Sequence, residues 1–90
     1  MKLGLIGEKL GHSLSPEIHQ KIFEKLGICG TYNLLPVARM NLKDTVETLL
    51  ESMDGFNVTI PYKTDIMPFL DEISPEARTI GAVNTVAVHD

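Results

Sequence analysis

The spacing of apolar positions changes along the chain, and each change marks an element. Leu3, Leu5 and Ile6 form a short run closed by Gly7, too brief for a helix and suited to a buried strand. From Ser15 the spacing lengthens. Ile18, Ile22, Phe23 and Leu26 recur on one helical face, with Ser15 as the expected N-cap, Pro16 at the first helical position, Glu17 in the first turn and Gly27 at the stop. Gly30 to Val37 reads as a second strand, with Pro36 marking its end or a sheet edge. Leu42, Val46, Leu49, Leu50 and Met53 restore the helical period until Asp54-Gly55 breaks it. Phe56 to Ile60 then alternates strictly, the clearest strand signal in the chain, and Pro61 closes it. A third helical segment is predicted from about Tyr62 to Leu70, kinked or restarted at Pro68. Ser74-Pro75-Glu76 announces a short helix before Gly81, and 82–90 reads as a last strand.

Strand and helix thus alternate and the chain ends on a strand. That order predicts an α/β domain over residues 1–90: a three-layer α/β/α arrangement around an open, largely parallel sheet with right-handed helical crossovers. Such sheets bind ligands at the carboxyl ends of their strands, where loops lead into helix starts. The loops of interest are therefore Gly7 to Ser15, Pro61 to Lys63, and the approach to Asn84.

Composition narrows the partners. Ninety residues with 43% hydrophobic content support one thin core. Twelve acidic against eight basic residues give a net charge of -4 with no Lys/Arg cluster, which removes the electrostatic footprint of nucleic-acid binding. Cys29 has no second cysteine to pair with, which suits a reducing compartment. The opening apolar run is interrupted at Gly4 and stops at Gly7, too short for a signal peptide, and no run approaches a membrane span. A cytoplasmic protein is expected.

Polar residues at the predicted strand ends supply the candidate chemistry. Ser15 is accounted for by capping, but Ser13 has no such duty; together with the unpaired amides of a helix start they suit a small anion such as a carboxylate. A merely solvated loop fits the same residues. His12 and His19 lack metal-ligand spacing, and no metal site is assigned. Asn57 and Thr59 share the face of their strand opposite its apolar residues, which means either a wet face or the polar wall of a pocket. Lys63 favours the pocket. In the first turn of the predicted third helix it faces the positive end of the dipole, where a cation is disfavoured and a proton-transfer role is favoured. Asn84 offers a donor and acceptors to a hydroxyl, or serves as a turn residue. Gly4, Gly7 and Gly11 do not form the G-x-G-x-x-G of a dinucleotide loop.

In order, "GHSLSPEIH" (Gly11 to His19), "GFNVTIPYK" (Gly55 to Lys63) and "GAVNTV" (Gly81 to Val86) resemble the N-terminal, substrate-binding domain of shikimate dehydrogenases. The resemblance implies reversible reduction of 3-dehydroshikimate to shikimate with NADPH, in aromatic amino-acid biosynthesis. It implies Ser13, Ser15 and Thr59 as carboxylate binders, Lys63 and Asn84 as contacts to ring hydroxyls, Lys63 as the catalytic lysine and Asn57 on the same wall. Two departures stand out. Gly7-Glu8-Lys9-Leu10-Gly11 replaces the family's Gly-x-Pro opening of the first loop, and the family's Asn-Thr-Asp segment and Gly-rich NADP-binding Rossmann domain are expected only beyond Asp90, which is not itself that aspartate because no Asn-Thr directly precedes it. The expectation is the substrate-binding half of an NADP-dependent enzyme, inactive alone, with a small-molecule acid as partner and self-association left open. A non-catalytic module binding shikimate or quinate is the alternative, and a structural domain with incidental polar loops is a third reading.

Overall fold

The computed structural model describes residues 1–11 and 14–88. Along the chain run β1 (Lys2–Gly7), α1 (Ser15–Leu26), β2 (Thr31–Pro36), α2 (Leu42–Ser52), β3 (Gly55–Val58), α3 (Pro75–Ile80) and β4 (Thr85–Ala87). The strands form one sheet in the order β2-β1-β3-β4. β1 is central and parallel to both β2 and β3, pairing Leu3 with Tyr32 and Leu5 with Asn57. Parallel neighbours require a crossover, and α1 and α2 are those crossovers. β4 runs antiparallel to β3, with Thr85 opposite Asn57. The reversal has a consequence for the site: the amino end of β4 lies beside the carboxyl end of β3, and the Val58 N–H donates to the Asn84 carbonyl at 2.9 Å.

Alternation along β1 divides the core in two. Leu5 packs with Leu10, Phe23 and Tyr32 beneath α1. Ile6 joins Val46 and Leu49 of α2, Phe56 and Val58 of β3, and Tyr62 and Ile66 on the opposite face. Helices thus cover both faces of a largely parallel sheet, the arrangement the element order implies.

Three details differ from the sequence expectation. The N-cap of α1 is Leu14, whose helical dihedrals (φ −90°, ψ −1°) start the helix one residue early, so Ser15 lies inside it and does not cap it. The identical Ser-Pro-Glu at 74–76 does behave as expected: Ser74 accepts from the Ala77 N–H at 3.2 Å, and Gly81 closes α3 with φ +79°. Secondly, Phe23 is the buried residue of α1, while Ile18, Ile22 and Leu26 remain 54%, 45% and 66% exposed. Successive helical residues point about 100° apart. Turning Phe23 onto the sheet therefore swings its neighbour Ile22, and the residues four before and four after that one, to the outside. Thirdly, the segment from Tyr62 to Leu70 forms no α-helix. Turns occupy 63–66, and a 3-10 helix spans Met67–Phe69, where Pro68 lacks the N–H an α-helix would use. A second 3-10 turn, Arg39–Asn41, leads into α2.

Candidate functional site

The carboxyl edge of the sheet is tied together by main-chain bonds between its loops. The Thr59 N–H donates to Ile6 and the Val37 N–H to Gly7, so the exits of β2 and β3 are fixed against the exit of β1. Side chains reinforce the tie. The buried Tyr62 hydroxyl donates to the Val37 carbonyl at 2.5 Å. Arg39 lies over the Tyr62 ring, 5.7 Å from its centroid, and pairs with the Asp65 carboxylate. Burial raises the Tyr62 phenol above its ordinary pKa, the Glu8 and Asp65 carboxylates add to the rise, and the Arg39 guanidinium opposes it.

On this scaffold the candidate residues fall into two groups. Ser15 and Asn57 belong to the first, and both meet Tyr32. The Ser15 side chain lies beside the Tyr32 phenol, close enough to lower its pKa. The Tyr32 hydroxyl donates to Asn57 Oδ1 at 2.8 Å, and Asn57 Nδ2 donates to Thr85 Oγ1 at 3.0 Å and to the Asn84 carbonyl at 3.4 Å. His19 stacks on Tyr32 with ring centroids 4.0 Å apart, and its Nδ1 donates to the Ser15 carbonyl at 2.9 Å. Burial raises the Tyr32 phenol above its ordinary pKa, and the Ser15 side chain offsets part of the rise.

Lys63 and Asn84 form the second group. The Lys63 carbonyl accepts from the Val83 N–H at 2.7 Å, which sets Lys63 beside the start of β4. With Glu76 and Ile80 the two residues line a cavity of about 430 Å³. Ser15, Asn57 and Thr59 lie outside that cavity. Thr59 stands between the groups. It directly follows β3, and its γ2 methyl fills the space above Gly7. Ser13 and His12 lie outside the described residues, as does Asp90.

The dipole argument for Lys63 does not survive, because the segment it begins is a series of turns and not an α-helix. The Asn57 side-chain N–H groups go to Asn84 and Thr85. Sequence reasoning missed Tyr32 and Tyr62. The available signal was that a tyrosine in a core must find a partner for its hydroxyl. Among the described residues no three His, Cys, Asp or Glu side chains gather where they could hold a metal ion. No described helix is long and apolar enough to cross a membrane.

Comparison with known proteins bears on what this edge is for. Residues 5–86 match the family model described as the shikimate dehydrogenase substrate binding domain. The chain belongs to this family. It is 54% identical over 88 residues to the shikimate dehydrogenase (NADP(+)) of Clostridium beijerinckii, an alignment covering 97% of the chain and 33% of that relative. The Staphylococcus epidermidis enzyme of the same name is 45% identical over 91 residues, covering 100% of the chain and 34% of the relative. Among solved structures, shikimate dehydrogenase 1 from Peptoclostridium difficile superimposes with a TM-score of 0.95 at 43% identity, over 99% of this chain and 33% of that one. The Thermus thermophilus enzyme, determined in complex with NADP(H) and shikimate, superimposes with a TM-score of 0.96 at 35% identity, over 99% and 34%. The chain therefore spans about a third of the length of the relatives it matches.

The relatives' names include NADP(+), and the first loop bears on whether this domain can hold it. The space above Gly7 is taken by the Thr59 and Leu10 side chains, since a Cβ there would lie 2.6 and 2.8 Å from them, and an exposed leucine stands at the start of α1. A pyrophosphate needs glycine backbone within reach at that place. The Gly7 end of the first loop does not fit a pyrophosphate.

Proposed function

We propose that this domain binds shikimate and 3-dehydroshikimate at the carboxyl edge of its sheet. In a protein of its relatives' length it serves as the substrate half of an NADP-dependent shikimate dehydrogenase, interconverting 3-dehydroshikimate plus NADPH and a proton with shikimate plus NADP. What supports the reading is the family match over residues 5–86, a span that contains Ser13, Ser15, Asn57, Thr59, Lys63 and Asn84. In this reading Ser13, Ser15 and Thr59 hold the carboxylate through hydroxyl donors, whose bonds to an anion are charge-assisted. Asn84 and Lys63 meet ring hydroxyls, and Lys63 supplies or takes the proton at the oxygen being reduced or oxidised. Asn57 keeps the wall between them. The cofactor is bound by residues other than those described, and this chain alone carries out no redox step. The partners are small hydroxy acids, not nucleic acid or membrane, and the location is cytoplasmic, in keeping with a net charge of -4 without a basic cluster.

The experiment is a titration of the isotope-labelled 90-residue chain with shikimate, followed by amide chemical shifts. Weak binding is expected, because one wall cannot enclose a ligand or preorganise its partners. Shifts should centre on Ser15, Thr59, Lys63 and Asn84, and cyclohexenecarboxylate, which lacks the hydroxyls, should move the Ser15 and Thr59 signals but not those of Asn84. Shifts confined to α2 or to the far end of β1 would overturn the reading.

A further inference from the structure

We propose that Tyr32 is a positioning residue: its buried hydroxyl fixes the side-chain amide of Asn57, and through it holds Asn84 and Thr85 against the end of β3. The role assigned to the site rests on the function proposed above; the structural coupling does not.

Hydrogen-bond direction carries the argument. A phenol has one hydrogen to donate, and Tyr32 gives it to Asn57 Oδ1 at 2.8 Å. The amide is thereby oriented with its oxygen toward β2 and its nitrogen toward β4. In that orientation Nδ2 has two hydrogens to give and two acceptors in reach, Thr85 Oγ1 at 3.0 Å and the Asn84 carbonyl at 3.4 Å. The flipped amide would set Oδ1 against the Asn84 carbonyl, which can only accept, whereas the Tyr32 phenol and the Thr85 hydroxyl can each donate or accept. The Asn84 carbonyl thus selects the orientation, and Tyr32 anchors the amide in it by donating to Oδ1.

The selection matters because β4 is short and at the sheet edge. It spans Thr85–Ala87, and Asn84 precedes it, fastened to β3 by the Val58 N–H. The Asn57 amide is the side-chain fastening added at that point. Tyr32 itself is held in place: it is 7% exposed, and His19 stacks on its ring. Tyr32 and Asn84, on elements far apart in sequence, are therefore joined by polar bonds through Asn57. Fully satisfied networks of this kind specify a single arrangement.

Tyr32→Phe tests the idea, because it removes the hydroxyl and keeps the stacked ring. In the labelled 90-residue chain the Asn57 side-chain NH₂ resonances should move toward those of a solvated amide, and the Asn84 backbone amide should shift. The dissociation constant for shikimate should rise about fivefold, the scale of one lost hydrogen bond. Should the variant fail to fold, Thr85→Val, on an exposed residue, removes an acceptor for Asn57 Nδ2 and should move the same Asn57 and Asn84 signals. Unmoved Asn57 and Asn84 resonances would overturn the proposal. So would an unchanged shikimate affinity in a variant whose Asn57 signals had moved, since Tyr32 would then be scaffolding alone. Absence of binding by the parent chain would sink the functional reading instead, and the Asn84 shift would then decide the proposal about Tyr32.

Discussion

Thr59 lies directly above Gly7: a Cβ built on Gly7 would come within 2.6 Å of the Thr59 γ2 methyl. The same atom would meet Leu10 Cδ2 at 2.8 Å and the Ile60 carbonyl at 3.2 Å. The side chains can swing away, but the carbonyl belongs to the loop that Glu8 and Thr59 fasten to β1. Gly7→Ala is therefore expected to destabilise the domain by about 1–3 kcal/mol, the usual cost of overpacking. It should also displace Thr59. Urea unfolding gives the first quantity and the Thr59 amide shift the second. An unchanged midpoint together with an unmoved Thr59 signal would show that the loop yields freely.

Tyr62 is fully buried, and its hydroxyl donates to Val37. Tyr62→Phe keeps the ring and leaves the Val37 carbonyl without that donor, which should cost about 1–3 kcal/mol. The loop after β2 should loosen from the loop after β3. Faster amide exchange at Ala38 and Arg39 would report this, and unchanged exchange would argue that the Arg39–Asp65 pair holds the loops by itself.

Both core tyrosines also set an alkaline limit. The folded state raises the phenols of Tyr32 and Tyr62 above the ordinary value of 10.0. As pH climbs past 10 the unfolded chain loses these protons while the folded chain keeps them, so the unfolded state binds fewer protons and stability falls with rising pH. The stabilising contribution is complete below pH 10 and disappears as pH passes through the folded values. Denaturant midpoints at intervals from pH 8 to pH 11 should stay level and then drop. The drop should be shallower in Tyr62→Phe, and an equal slope in that variant would assign the transition to other groups.

Lys63 contributes its main-chain carbonyl to the fold, accepting from Val83, and alanine can do the same. Lys63→Ala should change stability by no more than about 0.5 kcal/mol. In a protein of the relatives' length, the proposed proton-transfer role requires kcat to fall by about 10²-fold or more. Thermal unfolding and steady-state assays on one preparation separate the two effects. Retained kcat would remove Lys63 from the chemistry.

The sequence by itself determined most of the strands and helices, and hence the largely parallel sheet, because hydrophobic period and turn chemistry are local properties. Residues 42–52, Phe56 to Val58 and the Ser74 cap are where the pattern puts them. Its motifs also identified the family. What local pattern could not decide was any choice between competing partners. Ser15-Pro16-Glu17 and Ser74-Pro75-Glu76 are the same tripeptide, yet only Ser74 caps a helix. The Ser15 side chain meets the phenol of Tyr32, a residue brought to it by the sheet. Likewise the period of α1 includes Ile18, Ile22 and Phe23, but the sheet accepts Phe23, because Gly30 leaves room for its ring. The residues after Pro61 carry a helical pattern, but Tyr62 and Ile66 are both drawn into the core and Pro68 withholds an N–H, so turns prevail. The antiparallel sense of β4, which sets Asn84 and Thr85 within reach of Asn57, rests on pairing between residues 28 apart in sequence, and only the assembled sheet brings them together.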